Sequence, residues 1–414
     1  MRILRNINLR KNNITTNKKW GWLFDPKILD RKFGVTLLWI TILFALVAFV
    51  SCLDPYYVNL GGTQNSKIVV YGQITNQEGY QTIHISLSST INEPKYKPLS
   101  NCSVQLVDTV GNVFILSEYL KGEYKVWMNK ENLLPGCKYC VKIKTPENLE
   151  ILSDYDKMPE GSIIDSIYYL RENRLTNNPN NSIEGIQLYT DFSLNNPNHY
   201  YYRFELIETW EHHSLYPKTY YWNEKTIIRI NPTNYSEMIC WTTQTVPYIY
   251  TLSTQDLEQK RSYKKFKLNF IDNSTQRLTY CYSVLVNQYS ISKPAYQYWD
   301  KLRINNYENE GLYQQQPMPI KGNLKCVSNP DIEVLGFFNV SSCSSKRYFI
   351  QHVENLDILY PSCKRGLIDN VGILRYIGPT YLMYEDGFLY ALDLCCVKCN
   401  CESGSTTKPS FWPY

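Results

Sequence analysis

Catalytic signatures are missing from this sequence of 414 residues. It has no Gly-x-Ser-x-Gly elbow, no phosphate-binding glycine loop and no His-Glu-x-x-His pair. Histidine is scarce, and the adjacent His212 and His213 would point to opposite faces of a strand, so they cannot chelate one ion together. We therefore predict a non-catalytic protein without a cofactor. A glycosidase with two separated carboxylates stays open, because acids far apart in sequence can meet in space.

Positive charge is also missing from most of the chain. The formal net charge is +5, but residues 1–51 contain nine Lys and Arg against two Asp, which makes that segment +7. The remaining residues therefore carry 5 − 7 = −2. A nucleic-acid-binding surface needs clustered cations to exploit phosphate charge. The sequence thus excludes nucleic acid as a partner of the main body.

The basic segment has the parts of an export signal. Arg31-Lys32 precedes an uncharged run, Phe33 to Ser51, and Cys52 follows. Cations hold the start of such a run in the cytoplasm while the apolar part enters the bilayer. Nineteen uncharged residues could also remain as an uncleaved transmembrane anchor. Phe49-Val50-Ser51-Cys52 resembles a lipobox, so we predict that 1–51 is a signal peptide and that Cys52 is the lipid attachment site.

Cysteine use points to an oxidising compartment. Of 13 cysteines, Cys52 is assigned to the lipid, which leaves an even set for up to six disulfides. The candidate disulfide cysteines are Cys102, Cys137, Cys140, Cys240, Cys281, Cys326, Cys343, Cys363, Cys395, Cys396, Cys399 and Cys401. Two Cys-x-x-Cys pairs among them, at 137–140 and 396–399, mimic a four-thiolate zinc site. Strand residues three apart face opposite ways and dense thiols pair first, so we predict disulfides and no metal.

After a tether at 52–66, the chain contains short runs in which polar and apolar residues alternate. Residues 67–155 contain polar and apolar residues at period two, as in Thr82 to Ser88 and Lys138 to Lys144. Such strands every 8–12 residues predict an immunoglobulin-like β-sandwich. The whole chain is predicted to be mostly β, with this sandwich followed by a larger, disulfide-stapled β-rich domain at 156–414 with a Cys-rich tail.

The second domain contains one segment with helical spacing. Ala295, Tyr298, Trp299 and Leu302 follow Ser292-Lys293-Pro294, which favours a short amphipathic helix. Met158 to Ile167 is interpreted as a crossover, and the Asn-rich stretch from Arg171 to Asn181 as an exposed loop. We expect one or two short helices in this domain.

Several local features occur in an order that resembles one family, the Bacteroidetes envelope lipoproteins known as domain of unknown function 4249. The features are Val69-Val70-Tyr71-Gly72-Gln73-Ile74-Thr75, Gly122-x-Tyr124, Leu134-Pro135-Gly136-x-x-Tyr139, Met158-Pro159, Ile164-Asp165-Ser166-Ile167, Lys321-Gly322-Asn323, Val334-Leu335-Gly336-Phe337-Phe338, Cys396-x-x-Cys399 and Lys408-Pro409-Ser410-Phe411-Trp412. The resemblance implies an outer-membrane lipoprotein, often found beside TonB-dependent receptors, and implies no catalytic residues. This chain departs from it by adding Cys395 and Cys401. Only Asp54 is acidic just past Cys52, so the surface or periplasmic face stays open.

These observations lead to three functional hypotheses. The first is a non-catalytic binding or accessory component of the outer membrane, partnered by a TonB-dependent transporter. The second is a structural or adhesive surface protein, and the third is a secreted-side hydrolase. The 36 tyrosines fit either ordinary strand residues or a ligand surface. A receptor gene beside this one would favour the first hypothesis.

Overall fold

Alternating apolar and polar residues form strands throughout the chain, and the predicted mostly β fold is confirmed. The computed structural model describes residues 66–89, 94–175, 182–196, 198–257, 261–307, 320–359 and 363–413. Cys52 lies outside these residues. The described residues belong to one compact unit, Gln64–Tyr414. The boundary between 155 and 156 stays a prediction.

Nine strands come from the first part of the chain. They are β1 (Ile68–Thr75), β2 (Gly79–Leu87), β3 (Lys97–Pro98), β4 (Ser103–Asp108), β5 (Val113–Leu120), β6 (Glu123–Met128), β7 (Lys138–Lys144), β8 (Glu150–Ser153) and β9 (Asp156–Lys157). Fourteen more follow. They are β10 (Ser162–Leu175), β11 (Ser182–Leu194), β12 (Tyr201–His213), β13 (Lys218–Trp222), β14 (Ile227–Asn234), β15 (Ile239–Thr245), β16 (Tyr250–Ser253), β17 (Ser262–Asp272), β18 (Tyr282–Ser290), β19 (Leu324–Cys326), β20 (Val334–Ile350), β21 (Arg365–Leu367), β22 (Thr380–Glu385) and β23 (Phe388–Leu392).

Helices are few in the described residues. The α-helices are α1 (Lys293–Tyr307) and α2 (Leu394–Val397), and 3-10 helices span Lys130–Asn132, Gln276–Leu278 and Val371–Tyr376. α1 begins where the sequence predicts, and the Ser292 carbonyl accepts the Tyr296 amide at 2.9 Å. None of the described helices is long and apolar enough to cross a membrane.

The first strands form the N-terminal sandwich. Hydrogen bonds join five strands in the order β20-β1-β2-β6-β5. The order continues from β5 into β4-β7-β8-β19, so β5 connects the two sheets of the sandwich. Period-two alternation places Ile83 and Ile85 of β2 inside, with Leu106 and Val141 of the facing strands. Their side chains fill one apolar core, and the predicted sandwich is therefore present.

β20 is shared between two sheets. Its first half pairs in parallel with β1, from Ile68 opposite Val334 to Thr75 opposite Ser341. Its second half pairs antiparallel with β18, from Ser342 opposite Ser290 to Ile350 opposite Tyr282. One long strand thus joins the N-terminal sandwich to a second layered unit.

This second unit is the central sandwich. Sheet β15-β12-β18-β20 packs against the three-stranded sheet β10-β11-β17, and Phe204 of one stacks on Phe266 of the other with ring centroids 4.5 Å apart. The interpretation of Arg171 to Asn181 as a loop is wrong for its first five residues, which continue β10 to Leu175. These residues pair antiparallel with β11, and the pairing ends with Leu175 opposite Ser182. The hydrogen bonds to β11 extend the strand although the local sequence is polar.

A third sheet, the C-terminal sheet, has the order β14-β13-β22-β23-β21. Its core is small, with Trp222, Leu382 and Leu389 packed beneath Leu374 of the Val371–Tyr376 helix. The chain then forms α2 and a C-terminal tail that returns to β15, where Ser405 and Trp241 form a two-residue bridge. This return brings the Cys-rich tail to the end of β12.

Candidate functional site

The Cys-rich tail is fixed by three disulfides. They join Cys240 to Cys399, Cys363 to Cys396 and Cys395 to Cys401, with Cα atoms 5.1 to 5.6 Å apart. Cys396 and Cys399 therefore belong to different crosslinks. The bond from Cys240 attaches the tail to β15, and the other two hold α2 in place.

The other six candidate cysteines are free thiols in the structure. They are Cys102, Cys137, Cys140, Cys281, Cys326 and Cys343. Most of them pack in the apolar layers as small hydrophobic residues. Burial raises the pKa of the Cys281 thiol to about 11, so it stays protonated and unreactive at neutral pH. Across the described ranges, no three His, Cys, Asp or Glu side chains lie together in a group that could hold a metal ion.

A pocket of about 310 Å³ lies where β12 ends against this tail. It is lined by His212, His213, Leu215, Gln276, Thr279, Tyr280, Ile358, Cys363, Cys395, Cys399, Cys401, Glu402 and Ser403. All three disulfides contribute to its wall. Aromatic and sulfur surface with a few polar groups is the usual lining of a small-molecule site, and the volume lies at the small end of such sites.

His212 forms the inner wall of the pocket. Its Nε2 lies 2.9 Å from the carbonyl oxygen of Cys399, which can only accept, so Nε2 carries a proton. Nδ1 is buried and has no hydrogen-bond partner among the described residues. The tail crosses over this ring at Gly404, where an added Cβ would lie 2.9 Å from Cε1. His212 is thus held by the tail and keeps one unmatched ring nitrogen.

His213 lines the same pocket as His212. Its ring stacks on Tyr280 with centroids 3.6 Å apart, and its Nε2 lies 2.7 Å from Oε1 of Glu211. The second oxygen of Glu211 accepts the indole N–H of Trp412 at 3.0 Å. Glu211 therefore ties the end of the tail to the imidazole. His213 and Tyr280 therefore form a fixed aromatic surface at the edge of the pocket.

A buried polar cluster around Glu208 holds β12, the strand that carries His212 and His213. The Glu208 carboxylate accepts hydrogen bonds from Arg277 at 3.1 Å and Tyr282 at 3.0 Å. Gln244 donates a third at 2.6 Å, so this buried charge is fully matched. Burial and the Glu208 charge hold the pKa of Tyr282 well above its ordinary value. These bonds fix β12 in the stretch that leads to His212 and His213.

The chemical groups of the pocket lining include disulfides, two imidazoles, the phenol of Tyr280 and the carboxylate of Glu402. All cysteines in the lining are joined as disulfides, and no described hydroxyl or thiol hydrogen-bonds either imidazole. A nucleophilic mechanism needs such a contact to activate the attacking atom. The arrangement instead offers a ring stack, an imidazole pair and Glu402 around a rigid wall.

Of the residues in this site, the sequence singles out only the tail cysteines, as candidates for disulfides. His212 and His213 are rejected there as joint metal ligands and are not predicted site residues, and Glu211, Tyr280 and Glu402 are not predicted either. Tyr280 and Glu402 carry no local signal, because they reach the pocket only through contacts between segments that are distant in sequence. The lipid attachment residue, Cys52, lies outside the described residues.

One family model matches the chain. It is described as a domain of unknown function, DUF4249, and it covers residues 54–347. That range contains the N-terminal sandwich, most of the central sandwich, His212, His213 and Tyr280. No curated protein matches the sequence.

Proposed function

The chain belongs to the family described as a domain of unknown function, DUF4249, and we propose that it is a non-catalytic, lipid-anchored binding component of a bacterial outer membrane. Resemblance adds the finer parts of the proposal. These are an origin in Bacteroidetes, a diacylglycerol on Cys52 and a TonB-dependent transporter as partner. The pocket would capture a small ligand and hold it near that transporter.

The observation that carries the binding role is the stapled pocket itself. Its wall is crosslinked at Cys240–Cys399, Cys363–Cys396 and Cys395–Cys401, so little side-chain or loop entropy is lost when a ligand enters. Tyr280 and His213 offer a flat aromatic surface, and Glu402 and Ser403 offer polar contacts. Rigid apolar walls with a few directional polar groups favour selective binding of one ligand class.

Native mass spectrometry tests the ligand claim. The lipidated protein is purified from its own membranes in mild detergent, and we expect a second species that is heavier by one small molecule. Tyr280→Ala removes the ring beneath His213 and should abolish that species. Tyr376→Ala is the matched control, because Tyr376 is 92 % exposed and lies outside the pocket lining.

The same preparation tests the partner. Proteomic analysis should recover a TonB-dependent receptor with both the wild-type protein and the Tyr376→Ala variant. A wild-type protein that carries no ligand and brings down no receptor would contradict the proposal.

The anchor has its own test. Cys52→Ser should abolish labelling by a fatty-acid probe and leave an unprocessed precursor. Normal cleavage of this variant would rule out the lipoprotein assignment and leave the pocket experiment unaffected.

A further inference from the structure

The outer face of the N-terminal sandwich exposes a group of large apolar side chains. Tyr80 of β2 and Trp127 of β6 are directly opposite in register, and their rings meet edge to face at 5.1 Å. They are 67 % and 54 % exposed, and Ile115 and Tyr119 of β5 are each 68 % exposed. We call these four residues the aromatic face. Scattered apolar residues are common on surfaces, but a contiguous patch marks an interaction site.

The core of the sandwich does not require these residues. Their neighbours along the same strands, Leu116, Tyr124 and Met128, point inward and are fully or almost fully buried. The outward positions would suit threonine or lysine, and Lys125 does occupy one of them. Its ammonium lies 4.1 Å above the ring of Tyr119. Trp, Tyr and Lys together are the side chains favoured at the boundary between water and lipid.

The same sheet face is covered on one side only. Next to β2, Tyr71 of β1 meets Trp299 of α1 edge to face at 6.0 Å. Over Tyr80, Trp127 and Tyr119 the described chain places no comparable element. α1 thus seals the β1 side, and the β2-β6-β5 side faces outward.

The membrane is close to this sheet in sequence. Only residues 53–67 separate Cys52 from the first residue of β1. A random coil of that number of residues would have a root-mean-square span of about 20 Å. The bilayer starts at the same point whether Cys52 is acylated or the apolar run before it is retained. With the proposed anchor in place, the sheet that begins with β1 and carries the aromatic face lies within reach of the lipid surface.

We propose that the aromatic face rests on the headgroup region of the membrane that anchors the protein. This inference depends on the proposed anchor and adds an orientation to it. Trp127, Tyr80 and Tyr119 insert their rings at the headgroup boundary. A lipid chain alone leaves a protein free to tumble on its tether, whereas a second, weak contact fixes which surface faces outward.

Quenching by brominated lipid tests this contact. The full lipidated chain is reconstituted into vesicles of phosphatidylethanolamine and phosphatidylglycerol, with or without bromine on the acyl chains. The fluorescence difference between the wild type and Trp127→Phe isolates the Trp127 signal. We expect bromine to remove about half of that signal or more, because an interfacial ring lies at the headgroup and acyl boundary.

A second label supplies the control. Tyr376→Trp, placed in the Trp127→Phe chain, adds a fluorophore on the Val371–Tyr376 helix, outside the aromatic face. Its added signal should be the same in both kinds of vesicle. Trp127→Phe keeps an aromatic ring, so folding of the sandwich is preserved.

Flotation of the vesicles separates the possible failures. If the wild type floats and Trp127 is not quenched, the orientation is overturned and the anchor stands. If the wild type does not float, both are overturned. If Trp127 is unquenched and the protein self-associates through the aromatic face, so that Trp127→Ala and Tyr80→Ala dissociate it, the occupant is a second copy and the membrane contact is rejected.

Discussion

The N-terminal sandwich and the C-terminal sheet use cysteine in opposite ways. Cys102, Cys137, Cys140 and Cys326 of the sandwich are free thiols, whereas every cysteine of the C-terminal sheet and tail is in a disulfide. The sandwich core gathers 22 buried residues, and the two small clusters around the C-terminal sheet gather five and three. Small cores bury too little apolar surface to offset chain entropy and need covalent support. The crosslinks are thus concentrated where the core is small.

The largest effect is expected from a substitution that leaves a cavity in the larger core, that of the N-terminal sandwich. Phe338→Ala removes a fully buried ring from β20 and should lower the free energy of unfolding by about 3–5 kcal/mol. Urea denaturation measures it, and the loss should be the same with and without a reducing agent. Phe388→Ala is the control, because Phe388 is 56 % exposed, and it should change stability by less than about 0.5 kcal/mol. A loss below about 1 kcal/mol for Phe338→Ala would contradict a packing-dominated sandwich.

Removal of the Cys240–Cys399 disulfide tests the role of crosslinks in the C-terminal region. The double change Cys240→Ala and Cys399→Ala should cost about 2–4 kcal/mol, because it frees a loop closed over 159 residues. Hydrogen exchange should become faster in β15 and the tail and stay slow in β1 and β2. Cys102→Ala removes a thiol without removing a crosslink and should cost about 1 kcal/mol. Equal costs for the two changes would refute a special role for the disulfide.

A smaller change tests how closely the tail fits over His212. Gly404 has a φ of +108°, and an added Cβ would lie 2.8 Å from Oγ1 of Thr242. Gly404→Ala should cost about 2–3 kcal/mol and speed exchange of the Trp241 and Ser405 amides, which hydrogen-bond each other's carbonyls. Gly387→Ala has a similar backbone strain at φ +84° but open space around it, so about 1 kcal/mol is expected there. Identical costs would show that the tail is not in close contact.

The smallest effect concerns a polar group inside the large core. Burial raises the pKa of the Asp156 carboxyl, although its oxygens accept the amides of Val340 and Lys157 at 2.8 and 3.0 Å. The folded state therefore holds this proton to a higher pH than the unfolded chain does. This contribution favours folding below the ordinary pKa of about 4 and is lost as pH rises through the folded pKa.

Asp156→Asn should remove this loss of stability with rising pH. Between pH 4 and 7 the free energy of unfolding should decline less in this variant than in the wild type. The exposed Asp154→Asn variant should follow the wild type. Parallel curves for Asp156→Asn and the wild type would reject the buried-carboxyl explanation.

Local pattern predicted the elements well but not their partners. Thr82, His84 and Ser86 alternate with Ile83 and Ile85, which indicates a strand with one buried face, and β2 has that form. Ser292-Lys293-Pro294 marks the start of α1 in the same local way. Period and capping act within a few residues, so they can be recognised in the chain alone.

Partner choice depends on contacts between distant residues. Nothing in Val69 or Gly72 indicates that β1 lies beside β20, more than 250 residues away. The pairing of Cys240 with Cys399 is hidden for the same reason, since any even set of thiols allows many connectivities. The pocket inherits this limit, because Tyr280 becomes a neighbour of His213 only after β12 and β18 pair.

The shared strand β20 also has a mechanical consequence. β1 and β20 run in the same direction, with evenly spaced hydrogen bonds from Ile68 to Thr75. A force that pulls the start of β1 and the end of β20 apart loads all of those bonds together, in shear. In this geometry the bonds break together, whereas in a peeling geometry they break one after another. The junction of the two sandwiches therefore resists tension applied along these strands.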